Sequence, residues 1–198
     1  MLLSRVAERV YWQARYMERV ENSARLLSVF STLLLDLPTK TRLDWDTLVQ
    51  ITGTSGDFEA HYSQPLERNV MRFLLADNNG CSLLDMLAMA RENARTTREI
   101  MPTEAFEHIN GLYHFARESA AKSIARGPRN EFLDDIIEGC QILSGLLQGT
   151  MSRGDTYNFW RVGRSIERAD MTTRIVDVGS GNLLRLGQND TEWAKPFE

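Results

Sequence analysis

The sequence predicts an all-α protein: an elongated helical bundle with an internal pseudo-repeat whose second half is incomplete. Three observations carry that expectation. Apolar residues recur at helical spacing through nearly the whole chain, and no segment alternates cleanly with period two. Proline is scarce, 5 in 198 residues, so long helices go uninterrupted. And "ARYMERVENSAR", Ala14 to Arg25, is echoed by "GRSIERADMTTR", Gly163 to Arg174.

The elements follow in order. A first helix is expected from about Leu3 to Leu35, stopping before Pro38. Asp44 to Ile51 has the length of a short helix, and Thr52 to Pro65, with Gly53, Gly56 and several serines, predicts a loop. A helix follows over Leu66 to Leu75, then a turn at "DNNG", Asp77 to Gly80. Ser82, with Asp85 three residues on, predicts a capping-box start for a helix running to about Met101. Pro102 and Thr103 start the next, which is expected to end near Gly127-Pro128, and Glu131 to Met151 forms another. "SRGD", Ser152 to Asp155, turns the chain into the helix that carries the second Glu-Arg stretch. After Gly179, Gly181, Gly187 and "QND" predict a loop. The expected organisation is one helical domain over 1–180, with a first repeat over about 1–150, the start of a second over about 151–180, and a loop-like tail over 181–198.

Composition narrows the function classes. The chain is 42% hydrophobic and 25% charged, ordinary for a globular protein, and its net charge of −4 argues against nucleic acid as partner. Cys81 and Cys140 lack CxxC or Cys/His spacing and are expected to be buried reduced thiols. Arg5, Glu8 and Arg9 interrupt the apolar start, so no signal peptide is expected. Leu26 to Leu37, the longest apolar run, is too short to span a bilayer. The expected location is cytoplasmic, with no membrane association.

The repeat is the main signal. Glu18 and Glu167 stand 149 positions apart, and the same offset matches Arg15 with Arg164, Arg19 with Arg168, Glu21 with Asp170, and Arg25 with Arg174. Tyr11 meets Trp160, Val20 meets Ala169 and Ser23 meets Thr172. At about 100° per residue, Arg15, Glu18, Asn22 and Arg25 share one narrow stripe, as do Arg164, Glu167, Met171 and Arg174. Val10, Ala14, Met17, Val20, Ala24 and Leu27 fill the neighbouring arc, so the charges border the core instead of opposing it. Two related halves would need about twice the repeat offset, so the chain is expected to be truncated or split. Exposed apolar surface left by such a truncation predicts a homo-oligomer. "RENAR", Arg91 to Arg95, echoes "VENSAR" more weakly and places Arg91, Arg95 and Arg98 along one helix edge.

These motifs resemble the bacterial alpha-E domain family, named for its helices and its recurring Glu-Arg motif. The likeness rests on "LSRVAERVYWQARYMERVENSARLL", "ARENARTTREIMPTEAFEHIN" and "FLDDIIEGCQILSGLLQGTMSRGDTYNFWRVGRSIERADMTTRIVDV" and extends over nearly all of 1–178. The resemblance implies an all-α fold and a chain shorter than usual for the family. It also implies association with circularly permuted ATP-grasp proteins, and a part in ATP-dependent peptide or amide-bond synthesis or modification.

Two roles are open to the Glu-Arg stripes. One is an ion-pair network that fixes the register of two pseudo-symmetric helices. The other is a polar cleft in which arginines hold a carboxylate or phosphate while Glu18 and Glu167, the catalytic candidates, orient them or act as acid/base. The substrate- or anion-binding candidates are Arg15, Arg19, Asn22, Arg25, Arg91, Arg95, Arg164, Arg168, Asp170 and Arg174. The helix of Glu104, Glu107 and His108 lacks the Glu-x-x-His spacing of di-iron bundles, and His61 and His114 stand apart, so no metal site is expected. "GTMSRGD", Gly149 to Asp155, is expected to be a helix-helix turn capped by Ser152 or Asp155; anion binding there through Thr150, Ser152 and Arg153 is the alternative. Tyr11, Trp12, Tyr16, Tyr157, Phe159 and Trp160 suit core packing or a docking surface. No nucleotide-binding motif or Gly-x-Ser-x-Gly elbow occurs, so the cofactor is unknown and an ATP site would have to be on another protein. Three functions remain: an accessory or substrate-handling component of an ATP-grasp-dependent amide-forming system; an enzyme using a motif Glu; and a helical scaffold with structural ion pairs.

Overall fold

A computed structural model describes residues 2–36 and 44–189. Its helices are α1 (Ser4–Asp36), α2 (Asp46–Thr52), α3 (Ser55–His61), α4 (Glu67–Leu75), α5 (Leu83–Arg95), α6 (Thr103–Ser119), α7 (Arg126–Thr150) and α8 (Asp155–Asn189), with a 3₁₀ turn over Lys122–Ile124. No strand occurs among the described residues, so the all-α expectation holds.

The differences from the sequence reading have local causes. The expected loop over Thr52 to Pro65 contains α3, which docks through buried Phe58 onto Phe73, an apolar anchor outweighing the turn-rich composition. The helix expected to reach Met101 ends at Arg95, where Thr96 and Thr97 hydroxyls bond carbonyls one turn back. Gly127-Pro128 does not stop a helix; it lies in the first turn of α7, where a missing N–H costs nothing. α8 continues through Gly181 and Gly187 to Asn189 where a loop was expected, and 190–198 lie outside the described residues, as does Pro38. Ser82 caps α5 as expected, but the carboxylate of Asp85 accepts from the Asn79 and Gly80 N–H groups instead of reaching back to Ser82.

α1 is the central helix, and α5, α7 and α8 all pack on it. Val10, Ala14, Met17, Val20, Ala24 and Leu27 are buried, with Leu87, Ala90 and Ala94 of α5 and Leu133, Ile136 and Leu143 of α7 in the same core. α8 runs parallel to α1. Gly163 abuts Tyr11 and Ala14. Further along α8, Met171 and Arg174 share a cavity wall with Arg19 and Ser23. The two Glu-Arg stretches thus face each other with matching positions side by side. Their outer faces differ. Val10, Met17 and Leu27 are buried, whereas their equivalents Phe159, Ile166 and Val176 are exposed.

Gln13 breaks the pattern of the α1 core face. Its side chain is fully buried, and among the described residues neither its Nε2 nor its Oε1 has a hydrogen-bond partner. An unpaired buried amide forfeits about 1–3 kcal/mol of desolvation. Gln13→Met keeps the shape and removes the polar atoms, so it raises stability by about 1–2 kcal/mol in urea unfolding; a loss of stability would show that the amide has a partner in solution.

Candidate functional site

The site begins with two small residues. Ala14 and Gly163 occupy equivalent repeat positions and meet at the α1–α8 contact, where a Cβ on Gly163 would lie 2.5 Å from the Tyr11 carbonyl oxygen and 3.0 Å from the Ala14 Cβ. Only glycine allows backbones this close. The approach puts Glu18 and Glu167 out of solvent, at 2% and 1% exposure. A bare carboxylate there would be prohibitively costly, so each needs cationic donors.

Each helix supplies the donors for the other. Arg15 Nε donates to Glu167 Oε2 at 2.6 Å, and Arg19 donates Nε to Oε1 at 2.5 Å and Nη2 to Oε2 at 2.9 Å. In return Arg164 Nε donates to Glu18 Oε2 at 2.9 Å and Arg168 Nε to Oε1 at 2.7 Å. Small-Arg-x-x-Glu-Arg is therefore written twice because the two copies clamp each other. Burial alone would lower the pKa of Arg15, but hydrogen bonds to Tyr11 and Glu167 outweigh it and hold the value raised. Arg168 is raised too, first by its hydrogen bond to Glu18. Four guanidinia in all stand around two carboxylates.

The flanking candidates take lesser places. Arg25 pairs with Glu21 and Arg174 with Asp170, both one turn apart on their own helices. Asp170 also lies 3.9 Å from Arg15 Nη2. The Arg174 guanidinium packs onto Gly53, whose φ of 71° ends α2 in the left-handed region; glycine serves both needs there. Asn22 Nδ2 is buried without a partner among the described residues. Arg19, Glu167, Asp170 and Arg174 face a cavity of about 220 Å³ against Thr52 and Gly53.

Other expectations do not join the site. Arg91 donates to Asn110 and lies over Tyr113, on the α5–α6 side. Arg95 pairs at the surface with Glu92, and Arg98, in the turn after α5, lies over Phe106. None of the three pairs with α1 or α8 among the described residues, because the weak echo keeps the local spacing but faces α6, which carries no matching Glu-Arg stretch. His108 Nε2 is 2.7 Å from the Gly139 carbonyl and His61 Nδ1 is 2.7 Å from the Asp57 carbonyl. No cluster of three or more potential metal ligands occurs among the described residues. Cys140 is buried and Cys81 half-buried; burial first, then nearby carboxylates, pushes the Cys81 thiol up to about 11 and the Cys140 thiol up as well. "GTMSRGD" is the expected helix-helix turn, but its closing bond runs from Arg153 Nη2 to the Gln148 carbonyl, and neither Ser152 nor Asp155 makes a side-chain cap among the described residues. Of the aromatics, Tyr157 and Trp160 are buried, while Trp12 and Phe159 are exposed. Arg161 was not singled out from the sequence; its position three before Arg164 and seven before Arg168 was the available signal.

No described helix is long and apolar enough to cross a membrane. No curated protein and no solved structure matches the chain. A family model does: residues 2–195 match Alpha-E, described as a predicted alpha-helical domain with a conserved ER motif. The Glu-Arg pairs at 18–19 and 167–168 stand at the two clamps. A helical chain matched over nearly its full length, and built around paired Glu-Arg stretches, belongs to the Alpha-E family.

Proposed function

We propose that this chain is the substrate-handling component of an ATP-dependent amide- or peptide-forming system whose nucleotide site lies on an ATP-grasp partner. The observation that supports this reading is the crossed clamp. Two buried carboxylates fix four arginines at the seam of two helices, and fixed guanidinia are suited to carboxylate or phosphate recognition. ATP-dependent amide synthesis starts from a carboxylate, which arginines of this kind could hold. The exposed apolar residues of α8, Phe159, Val162, Ile166 and Val176, offer a surface to a protein partner.

The alternative of an independent enzyme fits less well. Both oxygens of Glu18 and both of Glu167 are engaged by guanidinium N–H groups, and neither side chain faces solvent. An acid/base needs an open lone pair within reach of substrate. The third reading, a scaffold whose ion pairs serve only the fold, draws on the same burial. Reconstitution separates the three. ATP consumption by an ATP-grasp partner, with a mixture of amino acids and short peptides, is expected to rise only when this chain is present. Turnover by the chain alone would overturn the proposal in favour of the enzyme. Partner binding with no effect on ATP consumption would overturn it in favour of the scaffold.

A further inference from the structure

The two clamps are equivalent in sequence but not in surroundings. On the Glu167 side the arginines are largely used up. Arg15 Nη1 donates to the Tyr11 hydroxyl at 2.9 Å, and Arg19 gives both Nε and Nη2 to the carboxylate. On the Glu18 side Arg164 and Arg168 give only Nε. The repeat equivalent of Tyr11 is Trp160, which offers no acceptor oxygen, and Arg164 lies over its ring at 5.1 Å. Among the described residues, the Nη groups of Arg164 and Arg168 have no acceptor.

Both arginines line a cavity of about 480 Å³ between the end of α7 and the start of α8. Two further arginines line it, Arg153 and Arg161, at repeat positions where α1 has Ser4 and Trp12. Arg153 is held over Tyr157 at 4.1 Å and tied to the Gln148 carbonyl. Arg161 has no ion-pair partner among the described residues. No carboxylate lines this cavity, and Glu18 behind it is the one carboxylate bonded to its arginines. The cavity thus concentrates positive charge in a chain whose net charge is −4.

We propose that this cavity binds a small ligand bearing two or more adjacent anionic groups, of which diphosphate is the simplest. The unused Nη donors of Arg164 and Arg168 take one group, and Arg153 and Arg161 take its neighbour. A single carboxylate would leave half of this donor set unpaired. The inference rests on the Glu18 clamp of the proposed function and not on its partner.

Titration calorimetry of the full chain at low ionic strength tests it, with inorganic pyrophosphate, orthophosphate and tricarballylate as probes. Pyrophosphate is expected to bind about tenfold or more tightly than orthophosphate, since each added charged hydrogen bond contributes that order. Arg161→Ala is expected to weaken it about tenfold with little change in Tm, because Arg161 is exposed, has no ion pair among the described residues, and touches the fold only at the edge of its reach, 5.8 Å from the Tyr157 ring. Arg95→Ala, outside the cavity, leaves binding unchanged. Tricarballylate binding as tight as pyrophosphate would assign the site to vicinal carboxylates; weaker binding would assign it to phosphates. Failure of both polyanions to bind at millimolar concentration, or binding that survives both Arg161→Ala and Arg153→Ala, would overturn the proposal. The assay needs no second protein, so its failure and a failed reconstitution remain distinguishable.

Discussion

Glu167→Gln is expected to lower stability by about 3–5 kcal/mol, the usual cost of removing one partner from a buried ion pair. The substitution keeps the volume and one acceptor oxygen but removes the charge that two guanidinia share. Arg15 retains the Tyr11 hydroxyl and the nearby Asp170 carboxylate, whereas Arg19 is left with no anionic partner among the described residues. Glu18→Gln is expected to cost less. Its clamp has two hydrogen bonds instead of three, and the Arg168 side chain is 59% exposed, against 33% for Arg19. Water can therefore take over part of what Glu18 supplies. Urea unfolding at unchanged slope measures both. Losses below about 1 kcal/mol for both variants would be typical of surface pairs and would place the carboxylates in solvent.

Gly163→Ala is the second large effect, and its sign is the informative part. In a helix interior this change ordinarily stabilises by about 0.5–1 kcal/mol. Here the new Cβ meets a backbone carbonyl of α1 at 2.5 Å, and a carbonyl cannot swing aside as a side-chain end can. α8 must move away, which stretches the four cross-helix arginine contacts together. A net loss of about 1–3 kcal/mol is expected, in the range of overpacked cores. Gly145→Ala, in an exposed part of α7 with nothing within 4 Å of its new Cβ, is the control and should stabilise slightly. Equal effects at the two sites would mean that α1 and α8 do not touch at Gly163.

The helical class and the importance of the repeat were legible because both depend on spacing along one chain. The stripe of charges at the border of an apolar arc already implied burial at a seam. Which charges pair was not legible. Arg15 and Glu18 have the spacing of an intrahelical pair, and nothing local says that Arg15 reaches instead to Glu167. That choice depends on the parallel approach of α8, which Gly163 permits. The same limit explains Arg91 and Arg95, whose spacing imitates the motif while the helix opposite them is α6. Arg161 escaped notice because its equivalent is Trp12, so a search for matching positions passes over the residue that makes the halves differ. Boundaries were misplaced where tertiary contact overrode composition, as Phe58 does for α3, or where Pro128 could read as either start or stop.

A double-mutant cycle on Arg15 tests the reciprocal clamp most directly. Arg15→Met is combined with Glu167→Gln in one cycle and with Glu18→Gln in the other, and stability is measured throughout. Cross-helix pairing predicts a coupling of about 1–3 kcal/mol with Glu167, as for residues sharing a buried network, and one below about 0.5 kcal/mol with Glu18. Strong coupling to Glu18 and none to Glu167 would mean that each Glu-Arg stretch pairs within its own helix, and would contradict the account.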